Sequence, residues 1–325
     1  MIADREESGA RETASTGERA RPRRLARWRL GLLAPLLLLL VYYAGGALYL
    51  HRIDDDPAFA ADLQLPEGAS YSVAVAVALI DREVNRNRWV ANDPLFQPGA
   101  LLDNMPQFQK GIVSALSRFA IELADQLARI RGSSEIDPDA DTAAGRLKYP
   151  GDVWILEWST TPVQPSSESQ YRKALEALNR YNRRLAAGEA VFDSRADNLL
   201  ATLDRIASDL GSASAALSDR IQQGGGLLDF GADDLFYATK GRLYAYLLLL
   251  RALGRDFAPV IAERNLERAW QQLLDTFEQA ATLRPWVVAN GDLDALLVPN
   301  HLAAQGFLLL RARTQLREIT NILLK

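Results

Sequence analysis

The pattern of apolar and polar positions divides the chain into unlike parts. Residues 30–50, LGLLAPLLLLLVYYAGGALYL, run for 21 positions without one charge. At about 1.5 Å per helical residue this run reaches about 30 Å, the thickness of a bilayer's hydrocarbon core. It predicts a single transmembrane helix, in which Pro35 is better tolerated than in an exposed helix. Beyond residue 70 the apolar positions take the three-and-four spacing of amphipathic helices. Ile112, Leu116, Phe119, Leu123, Leu127 and Ile130 mark one such face, and Tyr171, Leu175, Leu178, Tyr181 and Leu185 a second. Leu199, Leu203, Ile206, Leu210, Ala213, Leu217 and Ile221 form a heptad-like seam whose small residues admit a close neighbour. Leu266, Trp270, Leu273, Phe277 and Ala280 form another face, and Leu302, Leu309, Leu316 and Leu323 recur every seven residues.

Two further stretches read differently. DLFYATKGRLYAYLLLLRALG is apolar nearly all round, as a helix buried within a bundle is. YSVAVAVALI at 71–80 alternates like a strand, but with no partner strand nearby it reads as the start of a helix running to about Asn87. Turn chemistry separates the elements. Gly224, Gly225 and Gly226 predict a hinge, Ala232–Asp234 a helix cap and Asn300 a second cap. The long segment 131–168 is expected to be irregular, with DVWILEW inside it as a short strand or a peg against the helices. The predicted fold class is therefore all-α. A cytoplasmic, arginine-rich head (1–29) precedes an anchor (30–50), a linker (51–70) and a multi-helix bundle (71–325).

Charge orients this arrangement. Residues 1–29 carry eight arginines against five acids, whereas the whole chain is −4, so the remainder is about −7. By the positive-inside rule the head stays in the cytoplasm and everything after His51 lies beyond the membrane. Small residues AGGA at 44–47 leave signal-peptide cleavage open, although the apolar run exceeds the usual signal length. The acidic remainder excludes phosphate-backbone binding, so nucleic acid is not an expected partner. No cysteine is present, which removes disulfides, thiolate catalysis and cysteine metal sites. With only His51 and His301, no histidine-rich metal site is expected, and no cofactor.

Candidate chemistry rests on carboxylates. Asp233 and Asp234 precede Phe236, Tyr237 and Lys240, and read either as an acid/base pair or as a helix cap. Asp137, Asp139 and Asp141 stand at the first three ligand positions of a calcium loop. Thr142 and Lys148 occupy the positions that should be glycine and glutamate, so a solvated acidic loop is the preferred reading. His301 is a candidate proton shuttle or a turn residue. The loop RWVANDPLFQPGALLDNMPQFQKGI (88–112) mixes turn residues with aromatics and is expected to pack as an ordered scaffold. Its Trp89, Asn92 and Asn104, with Lys240, are binding candidates, and its Asp93 and Asp103 join Asp233, Asp234 and His301 as catalytic candidates. No P-loop, dinucleotide fingerprint, nucleophile elbow or H-E-x-x-H motif occurs.

RWVANDPLFQPGALLDNMPQFQKGIVSALSRF, SRADNLLATLDRIASDLGSASAAL, DDLFYATKGRLYAYLLLLRAL and VPNHLAAQGFLLLRARTQLREI, in this order, resemble the bacterial family known as domain of unknown function 2333. The resemblance spans about residues 30–325 and leaves out the arginine-rich head. It implies an envelope protein of Gram-negative bacteria with one membrane anchor, and no activity, cofactor or catalytic residue. With the charge asymmetry, the expected location is the inner membrane, with the C-terminal domain periplasmic. The expected function is a structural or interaction module of the cell envelope. Its partners would be the bilayer, through 30–50, and another envelope protein or a second copy. The alternatives are a carboxylate-based enzyme acting on cell-wall material and a small-ligand-binding helical domain.

Overall fold

The computed structural model describes residues 23–129, 135–156, 163–224, 229–292 and 298–325, with side chains from Leu33 onward. Among the described residues ten α-helices follow one another: α1 (Arg23–Leu50), α2 (Tyr71–Asp81), α3 (Asn104–Glu122), α4 (Pro138–Leu147), α5 (Ser167–Ala186), α6 (Ala196–Gln223), α7 (Phe230–Asp256), α8 (Ala258–Glu263), α9 (Glu267–Ala281) and α10 (His301–Leu323). No strand forms among the described residues; one isolated bridge joins Asn290 and Asn300. The chain is all-α, as the periodicity predicts. α2 ends in a π-helical turn over Arg82–Arg86, so the alternating YSVAVAVALI stretch is helical throughout.

α7 is the axis of the bundle. Its run from Leu243 to Leu250 is buried on all sides, with α2, α3, α6, α9 and α10 packed around it. The most extensive interface joins α3 and α7, and two glycines make it possible. A methyl group on Gly111 would run into the Ala238 carbonyl, and one on Gly241 into the Phe108 carbonyl. The two backbones thus approach more closely than larger residues allow. The seam Leu199, Leu203, Ile206, Leu210 and Leu217 of α6 is buried against α10, whose Leu302, Leu309, Leu316 and Leu323 face inward.

Two expectations need correction. The segment 131–168 is not irregular throughout, because α4 lies inside it. Asp137 caps that helix by accepting the Asp139 and Ala140 amides, Pro138 fills its first turn, and Ala140, Ala143, Ala144 and Leu147 pack inward. Asp233 and Asp234 lie within the first turns of α7 rather than ahead of it; the cap is Asp229, which accepts the Ala232 amide. The helix that carries the apolar run is longer than that run and begins at Arg23. Of the expected hinge, Gly224 ends α6 in the left-handed region (φ 65°), and Gly225 and Gly226 lie outside the described residues.

α1 contains one stretch, Leu33–Leu50, long and apolar enough to cross a membrane, and almost none of it is buried. Its last turns touch the bundle. Leu50 packs on Val90 and Met105, and the Tyr42 and Tyr43 hydroxyls donate to the Phe96 and Leu95 carbonyls at 3.1 and 2.6 Å. Gly46 leaves no room for a side chain against Pro98. The stretch 51–70 then lies along the bundle as a strap. Tyr244 donates to the Asp56 carbonyl at 2.8 Å, Arg251 to the Pro57 carbonyl, and Arg255 to the Ala61 carbonyl at 2.7 Å. Phe59 covers the Arg82 guanidinium at 4.4 Å, and the Tyr244 ring lies 5.1 Å from the same group. Beneath the strap the Asp55 carboxylate meets the Lys240 ammonium and the Arg284 guanidinium.

Candidate functional site

The N-termini of α3 and α7 lie side by side, and this brings together three of the acids singled out in the sequence. Asp103, at the start of α3, meets the Asp234 carboxyl within hydrogen-bonding range, and Asp233 lies close enough to feel both charges. Desolvation, and then the Asp234 carboxyl, push Asp103 up to about 6. Desolvation followed by the charges of Asp103 and Asp234 lifts Asp233 to about 6 as well. The Asp234 carboxyl favours the protonated form of Asp103, because ionising Asp103 beside it would set two like charges side by side. One oxygen of Asp234 is buried without a partner.

Beside these acids opens a cleft of about 150 Å³ whose walls include Asn104, Phe230, Asp233, Tyr237, Trp286 and Val287. Phe230, Trp286 and Val287 are exposed to solvent. The Asn104 amide is hydrogen-bonded to Tyr237, whose phenol is pushed above its ordinary range by burial and by the charges of Asp233 and Asp55. The Asn104 side-chain oxygen is buried and unpartnered. The arrangement offers proton exchange near neutral pH, a negative potential for a cation, and aromatic faces for stacking.

The other candidates lie elsewhere. Asp93 faces Arg88 at 3.0 Å and feels Glu168; burial lifts its pKa, and it does not join the acid cluster. Trp89 is buried, donates to the Gly151 carbonyl at 2.8 Å and meets the Tyr171 ring edge-on at 5.0 Å. Asn92 donates to the Val153 carbonyl and to Glu168, at 2.7 and 2.6 Å. These two residues tie the 88–112 loop to the 149–156 segment. His301 begins α10, and its Nδ1 accepts the Ala289 amide at 3.0 Å. Burial lowers its pKa below the ordinary imidazole range. Lys240 is taken up by Asp55 and the Leu283 carbonyl under the strap.

In the acidic segment 137–141, Arg184 holds Asp137 at 2.7 Å, and Arg180 and Arg184 hold Asp139 at 2.9 and 2.8 Å. Among the described residues, no group of three His, Asp or Glu side chains is arranged to hold a metal ion. Sequence reasoning missed the aromatic walls Phe230 and Trp286. It also missed a larger cleft of about 370 Å³ rimmed by Lys110, Arg118 and Lys148 over Ser114, Ser117 and Tyr171. The one signal available for Trp286 was an aromatic beside a proline within a turn-rich connection.

These features define a class: an all-helical protein with one long apolar N-terminal helix, strapped to that helix by the residues following it. The chain belongs to the family described as an uncharacterised protein conserved in bacteria, domain of unknown function 2333, whose model matches residues 60–225 and 230–325. The match begins within the strap, so the apolar helix lies outside it. No curated protein and no solved structure matches the chain.

Proposed function

We propose that this protein is a single-pass inner-membrane protein that holds an interaction module at the periplasmic face of the bacterial envelope. The observation that carries this reading is the strap. Residues 54–61 are built into the bundle through Asp55–Lys240, Asp56–Tyr244, Pro57–Arg251 and Ala61–Arg255. A domain that needed only tethering would be served by a flexible linker. A fixed seat instead sets which face of the bundle is presented, which is what a binding module at a surface requires. The seat of Gly46 on Pro98 also favours an anchor over a cleaved signal, because removing residues up to 47 would strip a packed contact.

The presented face is the acid–aromatic cleft, where exposed Trp286 and Phe230 flank carboxylates in the manner of a protein interface. A reporter active only outside the cytoplasm, fused after Lys325, is expected to be active, and cytoplasmic reporter activity there refutes the topology. Photocrosslinking from position 286 in intact cells is expected to give one discrete adduct that is lost with Phe230→Ala. A smear unaffected by that change argues against a specific partner.

A second reading is favoured by one observation, the elevation of Asp103 and Asp233 to about 6 beside Asp234. Acids tuned this way serve as proton donors and acceptors, and cell-wall glycan is the substrate class within reach of such a domain. Asp→Asn at 103, 233 and 234 together separates the two readings. An enzyme loses its cellular role in full, whereas a binding module keeps its position-286 adduct.

A further inference from the structure

The loop that receives α1 is itself suited to lipid. We propose that residues 94–101, with the 154–156 segment stacked on them, enter the bilayer leaflet on the side where α1 emerges, making a second membrane contact. This rests on the reading of α1 as a membrane anchor.

The first argument is depth. The tyrosines that bond the loop, Tyr42 and Tyr43, precede the end of α1 at Leu50 by eight and seven residues. At about 1.5 Å per residue the loop therefore lies about 10–12 Å back along the helix from its end. If the lipid stopped at Tyr43, only residues 30–43 of the uncharged run would remain within it. That is about 21 Å, well short of the about 30 Å a hydrocarbon core requires. The loop at the level of Tyr42 thus sits within the leaflet.

The second argument is composition. PLFQPGAL, residues 94–101, carries no charge, and Leu95, Phe96 and Leu101 are 86, 59 and 63 % exposed. The Phe96 ring meets Trp154 edge-on at 5.5 Å, and exposed Ile155 and Leu156 extend the apolar surface. An exposed apolar patch continuous with a membrane helix is what a bilayer covers.

The third argument is the backbone, part of whose hydrogen-bonding need is met within the protein, as lipid requires. Pro94 and Pro98 have no N–H to satisfy. Gln97, Ala100 and Leu102 donate their amides to the Pro94, Gln97 and Gly99 carbonyls at 2.8–3.1 Å. The Leu95 and Phe96 carbonyls accept the two tyrosine hydroxyls. The tyrosines thus cap carbonyls that lipid cannot.

The absence of cysteine makes a direct test available. Single cysteines replace Leu95, Leu101 or Ile155 in the full-length protein, with Leu37→Cys in α1 and exposed Lys173→Cys as references. Each is labelled with an environment-sensitive dye in phosphatidylethanolamine–phosphatidylglycerol vesicles. Quenching by acyl-chain spin-labelled lipid is compared with quenching by aqueous iodide. Positions 95 and 101 are expected to follow position 37, with lipid quenching several-fold stronger than at 173. If 37 is quenched by lipid while 95 and 101 respond only to iodide, or to neither quencher, the loop contact is refuted and the anchor stands. If 37 responds to iodide, the anchor reading falls and this inference falls with it.

Discussion

The Lys240 ammonium and the Asp55 carboxylate meet at 2.6 Å, and each side chain is only 1 % exposed. Arg284 closes over the same carboxylate from the solvent side. Burial alone would raise Asp55, but the hydrogen bonds from Arg284 and Lys240 outweigh it and hold its pKa below the usual carboxylate range. Removing one member of a buried pair strands the other, which typically costs about 3–5 kcal/mol. Asp55→Asn or Lys240→Met alone is therefore expected to lower stability by about this much, and Asp55→Leu with Lys240→Met by distinctly less. Urea midpoints of the four proteins check this. Because the folded pKa of Asp55 lies below its unfolded value, its contribution is complete above the ordinary carboxylate range. It is lost as the pH falls through the folded value.

The acid cluster runs the opposite way. Asp103 and Asp233 titrate near 6 in the folded chain, so between about 3.8 and about 6 the folded state binds more protons than the unfolded one. Stability from this cluster is expected to decline as the pH rises across that window. Asp233→Asn should flatten the decline and raise the urea midpoint at pH 7.5 more than at pH 4.5. An unchanged pH slope would contradict the elevation of Asp233.

At the α3–α7 crossing, alanine is a better helix former than glycine by about 1 kcal/mol. Gly111→Ala and Gly241→Ala are nevertheless expected to lose about 1–3 kcal/mol, because each methyl meets a carbonyl of the facing helix. Thermal unfolding of each variant tests this. A gain in stability would mean that the helices part freely.

Asp256, at the end of α7, accepts the Tyr71 and Ser72 amides at 2.7 and 2.9 Å and the Ser70 and Ser72 hydroxyls at 2.8 and 2.6 Å. It thereby caps α2 from another helix. Asp256→Ala leaves those donors unmatched and is expected to cost about 1–3 kcal/mol. Asp256→Asn keeps one acceptor oxygen and is expected to cost less. Protection of the α2 amides in hydrogen exchange reports the loss locally.

What the chain's pattern revealed was what repeats along it. The seams of α3, α5, α6 and α10 were legible because burial recurs at helical spacing, and α7 was recognisable as the buried axis by its lack of a polar face. Asn300 was legible as a cap because capping acts over three residues, and its side chain does accept the Ala303 amide. α4 was missed although Asp137–Pro138 is a helix-start signature and its alanines fall at the right spacing. Its dense aspartates resemble a ligand loop, and the arginines that neutralise them lie some forty residues away on α5. Asp103, Asp233 and Asp234 were each named, but their meeting depends on the glycine crossing that sets α3 against α7. The strap was illegible for the same reason, since nothing local in DDDPAFAA points to Lys240 or Arg284.

The strap also sets the order in which the molecule is completed. Residues 55–57 leave the ribosome early, yet Tyr244, Arg251 and Arg284, which grip them, follow 188 to 229 positions later. Contacts so distant along the chain form late in folding. The first piece of the bundle to be synthesised therefore waits, unlatched, until nearly the last helix has been made.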